Sequence, residues 1–241
     1  MPGVVPLWLT ALFVVLVLAM AGLTMLAVHA RRGMRAAAGV GVALAGWLAV
    51  TAGLASAHVF EDFSRLPPRL LIAFVPAVLA VVWLCRAGAV GRLLDETPPG
   101  WLLYPQSFRI VMEIILWQLF VVGAAPAIMT FEGRNADILV GLTAPLVAWL
   151  FSTRRASPSM VFWWNVAGIV ILANVVVHAQ LSAPTPFRVF DVTPPVTFIA
   201  YVPWIWLPAF LVPLAWALHA LSMRQLRRSS VPGHVRYAGA R

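Results

Sequence analysis

The sequence predicts an all-α integral membrane protein of seven transmembrane helices, with its N-terminus outside, its C-terminus in the cytoplasm and a 3+1+3 parallel internal repeat. Three observations predict it. Of 241 residues, 62% are hydrophobic and only 10% charged, against about 25% charged in an ordinary soluble domain. Apolar runs of membrane-spanning length recur along the whole chain, and the mean hydropathy is +0.91. The arginines gather on alternate connections between those runs. Together these exclude a soluble enzyme, a nucleic-acid-binding domain and a disordered tail. The lone Cys85 lies in an apolar run and excludes an internal disulfide.

Crossing about 30 Å of hydrocarbon takes ~20 apolar residues, and seven runs approach that length: 4–29, 36–58, 69–86, 108–129, 136–151, 159–181 and 196–223. The first is retained as a span. No positive side chain precedes it, it is too long for a signal-peptide core, and its basic cluster Arg31, Arg32 and Arg35 follows it. The second interleaves Gly39, Gly41, Gly46 and Gly53 with alanine, which reads as close helix packing. Between the third and fourth, Asp95-Glu96-Thr97-Pro98-Pro99-Gly100 reads as a turn and Trp101-Leu102-Leu103-Tyr104 as an interfacial anchor. The fifth is short and holds Pro145, and the seventh carries Pro203, Pro208 and Pro213, so it is expected to kink. Trp163-Trp164 and Trp204/Trp206 lie near span ends and read as belt residues. Residues 224–241 form a basic cytoplasmic tail, and 1–241 is one domain.

Orientation follows from arginine. One set of connections holds Arg31, Arg32, Arg35, Arg86, Arg92, Arg154 and Arg155, and the tail adds Arg224, Arg227, Arg228, Arg236 and Arg241; the other set holds only Arg65, Arg69, Arg134 and Arg188. The positive-inside rule then gives N-out and C-in. The net charge of +9 is a topological signal with attraction to anionic lipid, not a nucleic-acid footprint.

The repeat is read from one window and its flanks, where His58 matches His178 and Arg31-Arg32 matches Arg154-Arg155. Pro67-Pro68-Arg69-Leu70-Leu71-Ile72-Ala73-Phe74-Val75-Pro76 opens the third span and Pro194-Pro195-Val196-Thr197-Phe198-Ile199-Ala200-Tyr201-Val202-Pro203 the seventh, identical at six of ten positions with an offset of 127. Units 1–86 and 130–223 would then be joined by the fourth helix, 108–129. This layout resembles that of the SWEET sugar transporters and the wider PQ-loop group, which are built from parallel repeats. The resemblance is one of topology. Those families carry a Pro-Gln pair in the first helix of each triplet, whereas Pro105-Gln106 here precedes the fourth span, so none of their site residues transfers. Microbial rhodopsins share the topology too, but all 17 basic residues here are arginine, and a retinal Schiff base needs lysine.

Three places offer chemistry. The connection Met129-Thr130-Phe131-Glu132-Gly133-Arg134-Asn135-Ala136-Asp137 is the densest polar stretch beside the membrane, and it joins Gly/Pro-interrupted spans, a pointer to a transporter site. Glu132 and Asp137 suit a cation or proton, and Arg134 and Asn135 an anionic or hydroxylated group. The structural alternative has Asn135 capping the fifth helix, Asp137 complementing its dipole and Arg134 pairing with Glu132. Second, Glu113 and Arg109 stand at i and i−4 inside the fourth span, as a functional acid or as a salt bridge near the cytoplasmic side. Third, His58 and His178 end the second and sixth spans on the external side and, with nearby acids, suit a divalent metal. His29 and His219 end the first and seventh on the cytoplasmic side, and two such pairs are also how a di-haem membrane cytochrome is arranged. No cofactor is expected; haem or a divalent metal is the alternative.

The leading expectation is a small secondary transporter or facilitator for a small solute or ion in a bacterial cytoplasmic membrane. Its external gate is Glu132, Arg134, Asn135 and Asp137, with Glu113 and Arg109 in the inner half. A haem- or metal-containing redox subunit and a non-catalytic assembly factor with a membrane-protein partner are the alternatives. The expected partners are the lipid bilayer and a small solute, and not nucleic acid. No phosphate-binding loop, catalytic triad order or CxxC is present, so any transport is passive or driven by gradients.

Overall fold

The computed structural model describes residues 5–229. The first residue of the first expected span, Val4, and the 230–241 part of the tail, with Arg236 and Arg241, lie outside the described residues. Within them the chain is all-helical, with no strand. The main helices are α1 (Leu7–Ser56), α2 (Leu71–Arg86), α3 (Gly88–Asp95), α4 (Phe108–Val121), α5 (Asp137–Ser152), α6 (Pro158–Ser182) and α7 (Val212–Ser229). By length and composition α1, α6 and the helical stretch 207–229 are apolar enough to cross a membrane, and α2 with α3 makes a fourth if that pair, bent by 64°, is one span.

α1 is helical over 50 residues except at Gly33, where φ is 77° and ψ 178°. That backbone favours glycine. A straight helix would put Met25 about 24 Å from Gly41, yet a Cβ at Gly41 would meet Met25 Cε at 2.6 Å. α1 is therefore two arms, 7–32 and 34–56, folded back at a single residue. Both arms feed one buried cluster: Phe13 rests on Trp204 with ring centroids 4.6 Å apart, and Leu48 and Ala55 belong to the same core.

Three helices end in the same way. At His58, Gly123 and Arg154 φ is positive (58°, 74° and 59°), and the following amide reaches back five residues: Val59 to Leu54, Ala124 to Leu119 and Arg155 to Leu150. This is the Schellman closure, which satisfies the last carbonyls of a helix. It shortens the fourth helix to Val121, where the apolar run continues to 129; Ala124 and Ala125 are buried in a loop that hydropathy does not distinguish from helix. On the other side α4 is lengthened by a 3₁₀ turn, Tyr104–Ser107. The 87–107 connection also contains α3, where the sequence suggests only a turn and an anchor.

The stretch read from the sequence as the seventh span is more broken than expected. A 3₁₀ turn, Phe198–Ala200, is followed by irregular turns, a π-type stretch, Leu207–Leu211, and then α7. The third-span window enters α2 at Leu71, so the two similar ten-residue windows adopt different structures. Proline explains the break. Pro213 has no N–H to give to the Ala209 carbonyl four residues back, and Trp47 Nε1 donates to that carbonyl instead at 2.9 Å. In return Trp206 Nε1 donates to the Leu48 carbonyl at 3.0 Å. Trp204 is fully buried between Phe13 and Phe198, so it is a core residue and not a belt residue.

The connections sort to two ends of the bundle. At one, Arg32 pairs with Glu96 at 2.9 Å, Arg228 grips Asp95, and Ser152 Oγ donates to the Pro99 carbonyl. Arg224 donates there to the Leu84 and Ala87 carbonyls, closing the α2–α3 bend. At the other end Arg69 donates to the Val59 carbonyl, Trp117 to Glu132, and Asn174 to the Arg134 carbonyl.

Candidate functional site

α4 carries Arg109 and Glu113 on one face, as their spacing requires. They do not pair with each other. Arg109 Nη1 donates to Asp137 Oδ1 at 2.5 Å, and Glu113 Oε1 accepts from Asn135 Nδ2 at 2.7 Å. Asn135 also donates to the Met129 carbonyl at 2.9 Å, and its Oδ1 accepts the Asp137 backbone N–H at 2.9 Å. The expected external gate and the expected inner pair are thus partly one site. The residue exposures are 1% for Arg109, 2% for Glu113, 3% for Asn135 and 6% for Asp137.

The local sequence accounts for this burial. α5 has 16 residues, about 24 Å of helix. Its first residue, Asp137, is buried, and the 122–136 connection turns inward to reach it, burying Ala124, Ala125, Met129, Thr130 and Asn135. Two glycines allow that approach. A Cβ at Gly133 would collide with the Ala127 backbone, and one at Gly141 would meet Ile110 N at 2.9 Å and Arg109 Cβ at 3.2 Å. Asn135 holds the first α5 amide, and Asp137 lies where helix amides favour an anion. Asp137 lies in the first turn of α5 as the sequence suggests, but the cap position is Ala136, without a side-chain cap bond, and Asn135 accepts only the Asp137 amide beside it; both residues also contact the charged side chains of α4.

The arrangement leaves atoms unused. Arg109 Nε and Nη2 and Glu113 Oε2 are buried without a hydrogen-bond partner. Formally, one guanidinium faces two carboxylates. Arg109, Glu113 and Asp137 form part of the wall of a cavity of about 120 Å³, otherwise lined largely by apolar side chains of α2, α4, α6 and the 199–215 stretch. That volume holds several waters or a small ligand, since one water needs roughly 10–15 Å³ on this measure.

The other residues singled out in the sequence stand apart. Glu132 is exposed and accepts from Trp117 Nε1 at 2.8 Å; it forms no ion pair with Arg134. Arg134 lies over the Phe190 ring at 5.1 Å and beside His178 Nε2 at 3.5 Å. His178 stacks on Phe190 and contacts the Asn174 carbonyl, while His58 is exposed and meets Glu61 Oε1 at 2.6 Å. No hydrogen bond or ring contact joins His58 to His178, and among the described residues no group of three or more His, Cys, Asp and Glu is placed to hold a metal. His58 has a structural role as the left-handed residue that closes α1.

The second histidine pair read from the sequence, His29 and His219, lies in two unlike surroundings. His29 is exposed, but His219 is fully buried. Its Nδ1 lies 2.8 Å from Asn165 Oδ1, and Asn165 Nδ2 donates to Ser222 Oγ at 3.0 Å. The Cε1–Nε2 edge of the ring lies against Gly168, where a Cβ would collide with both atoms. Asn165 and Gly168 carry the missed signal: a polar residue and a glycine one turn apart on a helix otherwise rich in large apolar residues.

No curated protein and no solved structure matches the chain. A family match covers residues 67–227, from the loop before α2 almost to the end of α7. It contains Arg109, Glu113, Asn135, Asp137, Asn165 and His219, and leaves out both arms of α1. On that match the chain belongs to the family described as a domain of unknown function, DUF8737.

Proposed function

We propose that the chain is a small secondary transporter or facilitator for a small solute or ion, crossing a bacterial cytoplasmic membrane seven times with its N-terminus outside. The two arms of α1, the bent α2–α3 unit, α4 with its 3₁₀ entry, α5, α6 and the 198–229 stretch are the seven crossings. The arginine asymmetry supports the orientation. The ten-residue windows at Pro67 and Pro194, with His58/His178 and the two Arg-Arg pairs at matching places, support a 3+1+3 repeat.

One observation carries the transport reading. Four polar residues, three of them ionisable, are buried inside an apolar bundle, with Arg109 and Glu113 keeping unpartnered atoms beside a cavity. Ionisable groups in such surroundings are costly unless they serve a ligand or ion path. The broken stretch 198–211 and the short α5 flank the cavity, as unwound helices flank transporter sites. The external gate is narrowed to Asn135 and Asp137, with Glu132 and Arg134 at the mouth.

Reconstitution into liposomes tests it. Osmotic light scattering over neutral, anionic, cationic and zwitterionic solutes of under ten heavy atoms is expected to show at least one permeating faster than through empty liposomes, with Glu113→Gln abolishing the difference. No such solute in the panel would remove the transport reading. For orientation, Cys85→Ser protein carrying either Glu132→Cys or Arg155→Cys is treated in intact cells with a membrane-impermeant maleimide. Labelling at 132 alone supports N-out, and labelling at 155 alone reverses it.

A further inference from the structure

We infer that the cavity beside α4 binds a small zwitterion with an apolar substituent, of the chemical class of an aliphatic α-amino acid. The inference rests on the reading of this cavity as a solute site. It begins with the edges of Arg109. Asp137 occupies Nη1, and the unpartnered nitrogens are Nε and Nη2. Those two N–H groups are parallel on one side of the planar guanidinium, the fork that takes a carboxylate bidentately. An aspartate in a purely structural pair would be expected to use that fork, yet no acceptor fills it.

The second element is Glu113, one turn along the same helix face. Oε1 is held by Asn135, and Oε2 has no donor. Asp137 already balances Arg109, so Glu113 has no cation of its own, and a ligand ammonium would supply one. A ligand that brought only a carboxylate would add a second buried negative charge, which is strongly unfavourable without a cation. A ligand that brought only an ammonium would leave the Arg109 fork unsatisfied. A carboxylate and an ammonium on neighbouring atoms meet both needs. The ammonium donates to Oε2, and the carboxylate accepts from Nε and Nη2.

The third element is the rest of the wall. Phe74, Met112, Leu116, Leu172, Val175 and Leu211 line it, with Gln180 the one other polar side chain besides Arg109, Glu113 and Asp137, and a polar group laid against those six apolar residues finds no partner. Burying a polar substituent there costs free energy, so the substituent selected is aliphatic.

Equilibrium binding of radiolabelled L-leucine to the detergent-purified full chain tests this without reference to flux. Leucine is expected to bind saturably. 4-Methylpentanoate, which lacks the ammonium, and isoamylamine, which lacks the carboxylate, are each expected to compete at least tenfold more weakly. Glu113→Gln keeps the acceptor toward Asn135 and removes the charge; it is expected to weaken leucine at least tenfold while leaving 4-methylpentanoate no weaker than before. A globally damaged protein would not produce that reversal. The inference fails if leucine does not bind, if either single-charge analogue equals it, or if Glu113→Gln leaves leucine affinity unchanged. Leucine binding without flux in liposomes upholds the ligand class and removes the transport reading. Flux of another solute class without leucine binding does the opposite.

Discussion

Arg109 and Arg228 each face an aspartate at 2.5 Å, and the two pairs do opposite things. Arg228, at the end of α7, is about one-third exposed and meets Asp95 fork to fork, Nε on Oδ1 and Nη2 on Oδ2. Every feature of that pair serves attachment: it clips α7 to α3, with Gln225 donating to the Leu94 and Thr97 carbonyls beside it. Arg109 is buried, touches Asp137 through one nitrogen, and keeps its fork free. Distance alone does not separate a structural ion pair from a site. The unused atoms and the burial do.

Measured stability should show the contrast most strongly at Arg109. Arg109→Gln strands Asp137 without its charge partner, and thermal unfolding in detergent is expected to register a loss of about 3–5 kcal/mol. A loss near that of an exposed pair would mean that the centre is hydrated and the contrast is false. Asn135→Ala comes next. It removes the donor to Glu113 and to Met129 and the acceptor for Asp137 N–H, at about 1–3 kcal/mol by the same assay. Arg228→Gln is expected to cost at most about 1 kcal/mol, and raising salt should mask the difference between variant and parent. Salt should leave the Arg109 effect nearly unchanged.

The smallest effect lies in the exposed 58–69 loop. The Ser64 hydroxyl, bonded to Asp62 at 2.7 Å, is the main reason the Asp62 carboxyl is held below its ordinary range; Arg65 and Arg69 add to this and partial desolvation opposes it. A depressed acid stabilises the folded loop above its unfolded pKa of about 3.9 and loses that contribution as pH falls through the lower folded value. Ser64→Ala is expected to move the Asp62 titration, followed by carboxyl carbon NMR, to higher pH. An unmoved titration would assign the shift to the Ser64 backbone N–H and the arginines instead of the hydroxyl.

How much of this was legible in the sequence depended on where the partners lie. The fifth and sixth helices, read as 136–151 and 159–181, are Asp137–Ser152 and Pro158–Ser182, because their ends are set locally. Ser157 accepts from the Met160 amide at 3.1 Å, with Pro158 in the first turn. The fourth helix was misjudged because Gly123 turns the chain within a run that stays apolar. Of the six residues read as candidates, Arg109, Glu113, Asn135 and Asp137 come together, and the sequence had them in two groups. Asn135 and Asp137 read as loop residues because the charges that bury them are 22 and 28 positions away. The i, i+4 relation of Arg109 and Glu113 identified a shared face and the wrong bond. His219 was missed for the same reason, since its partner Asn165 is 54 residues distant.

The turn at Gly33 has a mechanical consequence. A one-residue turn leaves the two arms of α1 no slack, so residues 7–56 behave as a single stiff prong. Its second arm fastens to the broken seventh segment through the reciprocal indole bonds of Trp47 and Trp206. The prong is therefore a splint, drawn from outside the family match, for the least regular helix within it. Any bending at 206–209 must drag the prong along or break both bonds. Movement of one wall of the cavity is thereby geared to the outermost pair of helices, much as a hinge is geared to its door plate.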